Sequence, residues 1–464
     1  HHVTADGAGG VYVAWTDIRN QLDSDAYLQR ITAAGQVSPG WPAEGLSLCS
    51  LPRSQSPRAV ALDGEGGVFV AWYDDRSVGP TFGTGFDTYV QRVQGNGLLV
   101  PGWPVNGAPA SLALNGQFPE ALAPDGSGGA YVVWRDERDY PTQNFDVYAQ
   151  HLTATGAVAD GWPADGLPVC TAMETQNVVS ALPDGAGGVV IVWQDCRAGN
   201  CFSSTPNADI YGHGLGPDGT TTAGWMANGL LLIPSRAFPV VVPDDAGGLY
   251  IACSVPGQFD FVEHWVYRFT FAGPPAPGWP AEGVRVCGAP GERTLLNAAA
   301  DGLGGLLLTW ADYRGPGPRV IFAARIAPDG SLPAGWTPDG VPVSQILDGQ
   351  SFYPEIVGDG TGGAYLCWEW TDFATFSNTA RVQHLTPQGA VAPGWAGGGT
   401  PVSTSISQYI PRPVADGAGG VMVVWEEHFA PPRSGLFAQR FGADGPTPAL
   451  LALASADATP ERVL

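Results

Sequence analysis

The chain contains no lysine. All 21 of its basic residues are arginine, set against 44 Asp and Glu, for a formal net charge of −23 over 464 residues. Such an excess works against nucleic acid and anionic membrane as partners, since both are held through a basic face that releases counterions. Glycans, proteins or cations such as Ca2+ fit it better. Arginine in place of every lysine reads as codon bias and carries no chemistry of its own. Long apolar runs are also missing. No stretch approaches the roughly 18 residues a membrane-crossing helix needs, which argues against insertion, and no extended segment carries the 3.6-residue apolar stripe of a helix. Cysteine is sparse at seven, with no Cys-x2-Cys pair and no His cluster of the kind that holds zinc. Gly-x-Ser-x-Gly, a phosphate loop and a dinucleotide fingerprint are all absent. What abounds is glycine (65), proline (42) and tryptophan (16), within a composition 44% hydrophobic, which excludes a disordered chain.

A repeat organises these residues. Asp-Gly-x-Gly-Gly begins at Asp6, Asp63, Asp125, Asp184, Asp301, Asp359 and Asp416, and Asp244-Asp245-Ala246-Gly247-Gly248 fills the one gap, at spacings of 57 to 62 residues. Nine residues after each start stands Trp15, Trp72, Trp134, Trp193, Trp310, Trp368 or Trp425, with Cys253 substituting in the fifth unit. A second tryptophan follows in a Gly-Trp pair at Trp41, Trp103, Trp162, Trp225, Trp279, Trp336 and Trp395.

Each unit spells four short strands. One precedes the Asp-Gly hairpin, where glycine supplies the positive φ of a tight reversal. The second is β-branched and aromatic, as in Val68-Phe69-Val70-Ala71-Trp72. The third follows the pattern of Asp87-Thr88-Tyr89-Val90-Gln91-Arg92, and the fourth is a short run such as Leu167-Pro168-Val169-Cys170. Eight such units predict an all-β, eight-bladed β-propeller of four-stranded antiparallel blades; the coils of a β-solenoid would be shorter and parallel. The blades are expected near 1–52, 53–114, 115–173, 174–234, 235–290, 291–347, 348–406 and 407–455. The last strand should fall within Thr447–Ser455, so that the ring closes without exchanging a strand.

The unit resembles secreted bacterial propeller repeats. Its third-to-fourth-strand turn is similar to the Asp-box of sialidase-like propellers at Asp329-Gly330…Gly335-Trp336, Asp218-Gly219…Gly224-Trp225 and Gly35…Gly40-Trp41. The leading Ser of that motif is missing and the gap to Trp is longer. The arginine triad, Tyr nucleophile and acidic partner of sialidases have no counterpart placed here. The resemblance therefore implies fold and export, to the bacterial cell surface or medium, rather than catalysis. The tail from Leu450 through Asp457 resembles the lead into a C-terminal immunoglobulin-like sorting domain, with 456–464 as the start of that connection.

Cys196 and Cys201 lie five residues apart in one long loop and are candidates for a small disulfide. Cys49, Cys170 and Cys287 recur on the fourth strands of blades one, three and five, which are not neighbours, and should be buried and separate. Cys253 and Cys367 on second strands read as core.

In a propeller the first-to-second and third-to-fourth hairpins share one face, and here they are monotonous. The second-to-third and fourth-to-first connections share the other face and vary, longest in blades two and four, which makes that face the binding candidate. On it, Trp-x-Asp-x-Arg recurs at Asp17/Arg19, Asp74/Arg76, Asp136/Arg138, Asp195/Arg197 and Asp312/Arg314. Its repetition favours an intrablade brace; the functional alternative is a Ca2+ rim using Asp23, Asp25, Asp74 and Asp75 as oxygen donors. Tyr140, Phe82, Phe86 and Phe202 stack on sugar rings or pack the loops. The first strands surround the axis, and their early residues differ blade by blade: His2, Arg58, Glu120, Asn297, Glu355 and Arg412, with Val179 and Phe238 in blades four and five. Mixed charge there suits a polar ligand, or else plugs the pore as a ring of salt bridges.

The expected function is a secreted or cell-surface, non-catalytic binding or structural module, taking a glycan or a protein through the variable face and open to assembly through flanking domains or self-association. No cofactor is expected beyond Ca2+. The alternative is a polysaccharide hydrolase or lyase using Glu120 and Glu355 as an acid pair.

Overall fold

A computed structural model describes residues 1–20, 22–76, 85–140, 145–199, 208–256, 261–294, 296–314, 317–344, 349–429 and 434–455. Eight four-stranded antiparallel blades form an eight-bladed β-propeller, and the described residues contain no helix. No helix is long and apolar enough to cross a membrane. We letter the strands of each blade a to d from the axis outward. The a strands are His2–Ala5, Gln55–Leu62, Gln117–Pro124, Gln176–Pro183, Ala237–Pro243, Asn297–Ala300, Gln350–Gly358 and Gln408–Ala415. Each pairs with its b strand, b with c, and c with d. One extra short strand, Glu292–Arg293, bridges strand c of blade 5 to strand b of blade 6 and joins those two sheets.

Eight apolar clusters lie one in each gap between neighbouring blades. Because both faces of every sheet are covered, the b strands are apolar throughout rather than alternating; Val11 to Trp15 are all buried. The eighth gap closes the ring: Val11, Val13 and Trp15 of blade 1 pack on Val414, Met422 and Val424 of blade 8. Strand d of blade 8 is Gly445–Ser455, paired to its own strand c. Among the described residues closure is by packing, with strand a of blade 1 and strand d of blade 8 each paired within its own blade.

The a–b hairpins show why the repeat keeps its aspartate. Asp6 Oδ1 accepts the amides of Ala8 (2.8 Å) and Gly10 (2.7 Å), while Gly7 and Gly9 hold φ of +73° and +90°. In blade 5 Asp245 takes the first glycine's place at φ +55°, a region Asp tolerates better than most residues. The other carboxylate oxygen binds a strand-c side chain: Arg30 on Asp6 (2.9 Å), Arg92 on Asp63 (2.9 Å), Arg325 on Asp301 (2.8 Å), and the imidazoles of His151 on Asp125 and His384 on Asp359. Arg30 and Trp41 both then donate to Gly95 O of blade 2 (2.8 and 3.0 Å). Five more Gly-Trp indoles reach a carbonyl of the following blade in the same way. The monotonous face is thus occupied by the interactions that hold blade to blade.

Candidate functional site

The a strands of seven blades enclose an axial cavity of about 500 Å3, lined by His2, Arg58, Glu120, Val179, Glu355 and Arg412 among others. Five of the six axial residues singled out from the sequence therefore meet in one space. The sixth, Asn297, lies behind it and donates through Nδ2 to Glu355.

Backbone irregularity aims these side chains. The a–b pairing slips at Arg58 and at Glu120, so each is the extra residue of a β-bulge. In blades 7 and 8 the slip takes in Tyr353-Pro354 and Ile410-Pro411, immediately before Glu355 and Arg412. A bulge re-aims the side chain it carries, and proline suits one because no ladder N–H is required of it. Tyr353 and Ile410 sit at φ +50° and +51°. For bulky and β-branched residues this is strained backbone, of the sort that persists where the surroundings enforce it.

The charges are distributed unevenly. Arg135 of strand b in blade 3 grips Glu120 (Nε to Oε1, 2.5 Å), whose other oxygen accepts the Val179 amide at 3.1 Å. Arg412 pairs with Glu355. Burial nevertheless holds the Glu355 carboxyl above its ordinary range, against the opposing pull of Arg412 and Asn297. His2 is pushed down to about 4, by burial above all, then by the adjacent terminal amine and by Arg412 and Arg58. Arg58 is exposed to the cavity and stacks over Tyr73 at 5.1 Å. Tyr73 in turn packs on Phe86 and Phe118 (4.9 and 6.2 Å), and Arg135 lies over Phe145 at 4.7 Å. An aromatic wedge between blades 2 and 3 therefore seats two guanidiniums. One is spent on Glu120; the other has no carboxylate partner among the described residues.

The five Trp-x-Asp-x-Arg segments form braces. In blade 1, Trp15 Nε1 donates to Asp17 Oδ2 (2.9 Å), Arg19 Nε to Oδ1 (2.8 Å) and Arg19 Nη2 to Glu44 O (3.0 Å), with Arg19 4.2 Å above Tyr27. Equivalent pairs recur at Asp74, Asp136, Asp195 and Asp312. Asp23, Asp25, Asp74 and Asp75 are not brought together as a cation site. Asp74 is occupied by Trp72 and Arg76, Asp23 accepts Asn20 and the Arg53 amide, Asp25 accepts Asn20, and Asp75 accepts the Ser54 amide. Among the described residues no group of three or more His, Cys, Asp or Glu is placed to hold a metal ion.

Cys196 is disulfide-bonded; Cys201 lies outside the described residues, as do Phe82, Phe202 and the tail 456–464. The long b–c connections of blades 2 and 4 fall largely outside them too. Phe86 packs the rim as described, whereas Tyr140 is exposed. Cys49, Cys170, Cys253, Cys287 and Cys367 are free and buried. The sequence did not single out Arg135, the Tyr73 wedge, or the exposed apolar rim of blades 7 and 8. That rim comprises Tyr353 (69% exposed), Phe373, Phe376 (87%), Ile406, Ile410 and Phe429. Phe376 was findable as an aromatic at a hairpin tip; Arg135 was not, being 15 residues from the carboxylate it holds.

No protein-family model matches the chain, and no curated protein does. Similar solved structures include an ulvan lyase described as a new family of polysaccharide lyase (TM-score 0.45, 10% identity, 84% of this chain and 94% of that one). A Hadza microbial sialidase gives 0.36 and 11%, over 75% and 71%. An acylaminoacyl peptidase of Pyrococcus horikoshii gives 0.44 and 9%, over 91% and 56%. The propeller stands on its own sheet topology.

Proposed function

We propose that the protein is an exported binding propeller that takes a glycan at the variable-face end of its axial channel. One observation carries this reading: among the described residues, side chains from seven blades converge on the axial cavity, and there the blades present unlike polar residues, Arg58, Glu120, Glu355 and Arg412. Scaffolding needs identical residues in each blade, whereas one ligand needs different ones. A cavity of about 500 Å3 is of the size that small ligands occupy, with a few convergent polar groups to fix orientation. The exposed aromatics of blades 7 and 8 supply flat apolar faces for sugar rings. The disulfide at Cys196 supports export, because such bonds persist in oxidising compartments.

The test is a glycan array probed with the wild-type chain and with an Arg412→Ala/Glu355→Ala double variant, which removes the pair together and leaves no unbalanced charge. Binding lost in the double variant, at an unchanged denaturation midpoint, supports the axial site. Binding retained at full strength removes it. A second reading, glycan cleavage with Glu355 as proton donor, is favoured by the raised pKa of that carboxyl. It requires Glu355→Gln to abolish turnover on a glycan the chain binds.

A further inference from the structure

We propose that the axial site selects an anionic glycan, one bearing a carboxylate or sulfate, and that Arg58 is the residue that binds the anionic group. The inference rests on the axial glycan reading and narrows it to a ligand class.

Most of the described arginines pair with a carboxylate; Arg236 and Arg381 lie over Trp265 and Trp370 without one, but neither lines the cavity. Those of strand c bind the hairpin aspartates, and those of the Trp-x-Asp-x-Arg segments bind their own Asp. At the axis, Arg135 is committed to Glu120 and Arg412 to Glu355. Of the two arginines that line the cavity, Arg412 is paired with Glu355, and Arg58 has no carboxylate partner among the described residues. Its place is not accidental. It is the bulged residue of strand a in blade 2, lines the cavity, and is seated by the Tyr73 ring on one side with its hydrogen-bonding edge unused. Holding a guanidinium by its face leaves the planar N–H fork that fits carboxylate and sulfate oxygens. His2 lines the same cavity, with Arg58 and Arg412 near enough to act on its charge. In a surface dominated by negative charge, one positive focus at the axis also orients an acidic ligand, anionic group first.

The alternative is that Arg58 only caps Tyr73. A guanidinium cap on an aromatic ring is a packing device, and its loss would alter stability but not which ligand is preferred.

The experiment is an array of matched glycans differing only in the anionic group: uronates against their methyl esters, and sulfated galactans against desulfated ones. It is probed with wild type, Arg58→Ala and Arg58→Lys, at low and high salt, with the denaturation midpoint of each variant recorded. The expected result is binding confined to the carboxylated or sulfated member of a pair. Arg58→Ala should lose roughly tenfold to hundredfold in affinity, Arg58→Lys should lose less, and added salt should weaken wild type more than Arg58→Ala. The uronate and sulfate arms separately identify which anion is read. Neutral members bound as well as acidic ones, with Arg58→Ala unaffected, would overturn this inference while leaving the axial glycan site standing. No glycan bound at all would overturn both.

Discussion

Alanine in place of Gly166 tests how tightly each blade is built around its tryptophan. Gly166 closes the c–d turn of blade 3 at φ +84°, and a Cβ there would lie 2.3 Å from Cη2 and 2.6 Å from Cζ2 of Trp134. Ordinary carbon–carbon contact is about 3.5 Å, so the indole would have to retreat by roughly 1 Å. It has nowhere to go: the ring is fully buried, its Nε1 is bonded to Asp136 at 2.7 Å, and it stacks on Tyr148 at 6.2 Å. A left-handed alanine costs about 1–2 kcal/mol and overpacking about 1–3 kcal/mol, for a combined loss of about 2–5 kcal/mol. Gly126 in the same blade is the control. It has φ +77° and nothing within 4 Å of its virtual Cβ, so Gly126→Ala should incur the backbone cost alone. Equilibrium urea unfolding of the two variants should therefore differ by about 1–3 kcal/mol. Equal losses would refute the reasoning, because they would mean the indole yields freely. The same geometry recurs at Gly45, Gly107, Gly229, Gly340 and Gly399, so the result applies to six blades.

Other outcomes follow from buried titratable groups. Neither carboxylate oxygen of Asp146 has a hydrogen-bond partner among the described residues, and burial, then Asp139 and Asp136, push its pKa from 3.8 up to about 7. Its ionisation therefore destabilises the fold as pH rises through that window. Asp146→Asn should gain on wild type by something on the order of 4 kcal/mol between pH 3.8 and 7, and a pH-independent difference in urea midpoints would contradict this. His264 is pushed by burial from 6.5 down to about 3; the unfolded chain binds the extra proton, so stability is full above pH 6.5 and falls as pH drops toward 3. The slope is up to about 1.4 kcal/mol per pH unit, and His264→Gln should flatten it in acid titrations followed by tryptophan fluorescence. The five buried free thiols should react with an aromatic disulfide reagent only after denaturation, and prompt labelling of the native protein would show that the blades open.

The repeat was legible because each of its fixed residues answers a backbone or packing need. Asp6 and its counterparts cap a hairpin, Gly7 and Gly9 take positive φ, and the two tryptophans fill a blade and reach the next one. A longer period, of two blades, was present but masked by the 58-residue one. Tyr12, Tyr131, Tyr250 and Tyr365 each donate to the hairpin glycine carbonyl of the following blade, at 2.6 to 2.8 Å. The even blades carry Phe69, Val190, Leu307 and Met422 at that position, so the blades alternate in how they are joined. The axial residues were found because the a strands must surround the axis. Their bulges were not, since Arg58 and Glu120 stand five residues before the hairpin Asp, and Glu355 and Arg412 four. A one-residue offset is indistinguishable from loop variation until the pairing is seen. The acidic residues of the expected calcium rim are close in sequence, yet strand alternation and the Trp72–Asp74–Arg76 brace send their oxygens to different partners.

The position of the asymmetry follows from the geometry of a ring. Two rim loops on opposite blades are separated by the width of the molecule, whereas the a strands pack side by side around the axis, so residues from blades 1, 2, 3, 4, 5, 7 and 8 line one cavity. A change of side chain on an a strand therefore alters a space shared by most of the blades and leaves the interblade tryptophans untouched. Bulges make this tolerable, because the slip in pairing absorbs an extra residue inside the strand while the hairpin Asp and the b-strand Trp keep their register. The repeat can stay rigid because the axial variation sits at or beside the bulges, at Arg58, Glu120, Glu355 and Arg412, and those are residues that a ligand in the channel would touch.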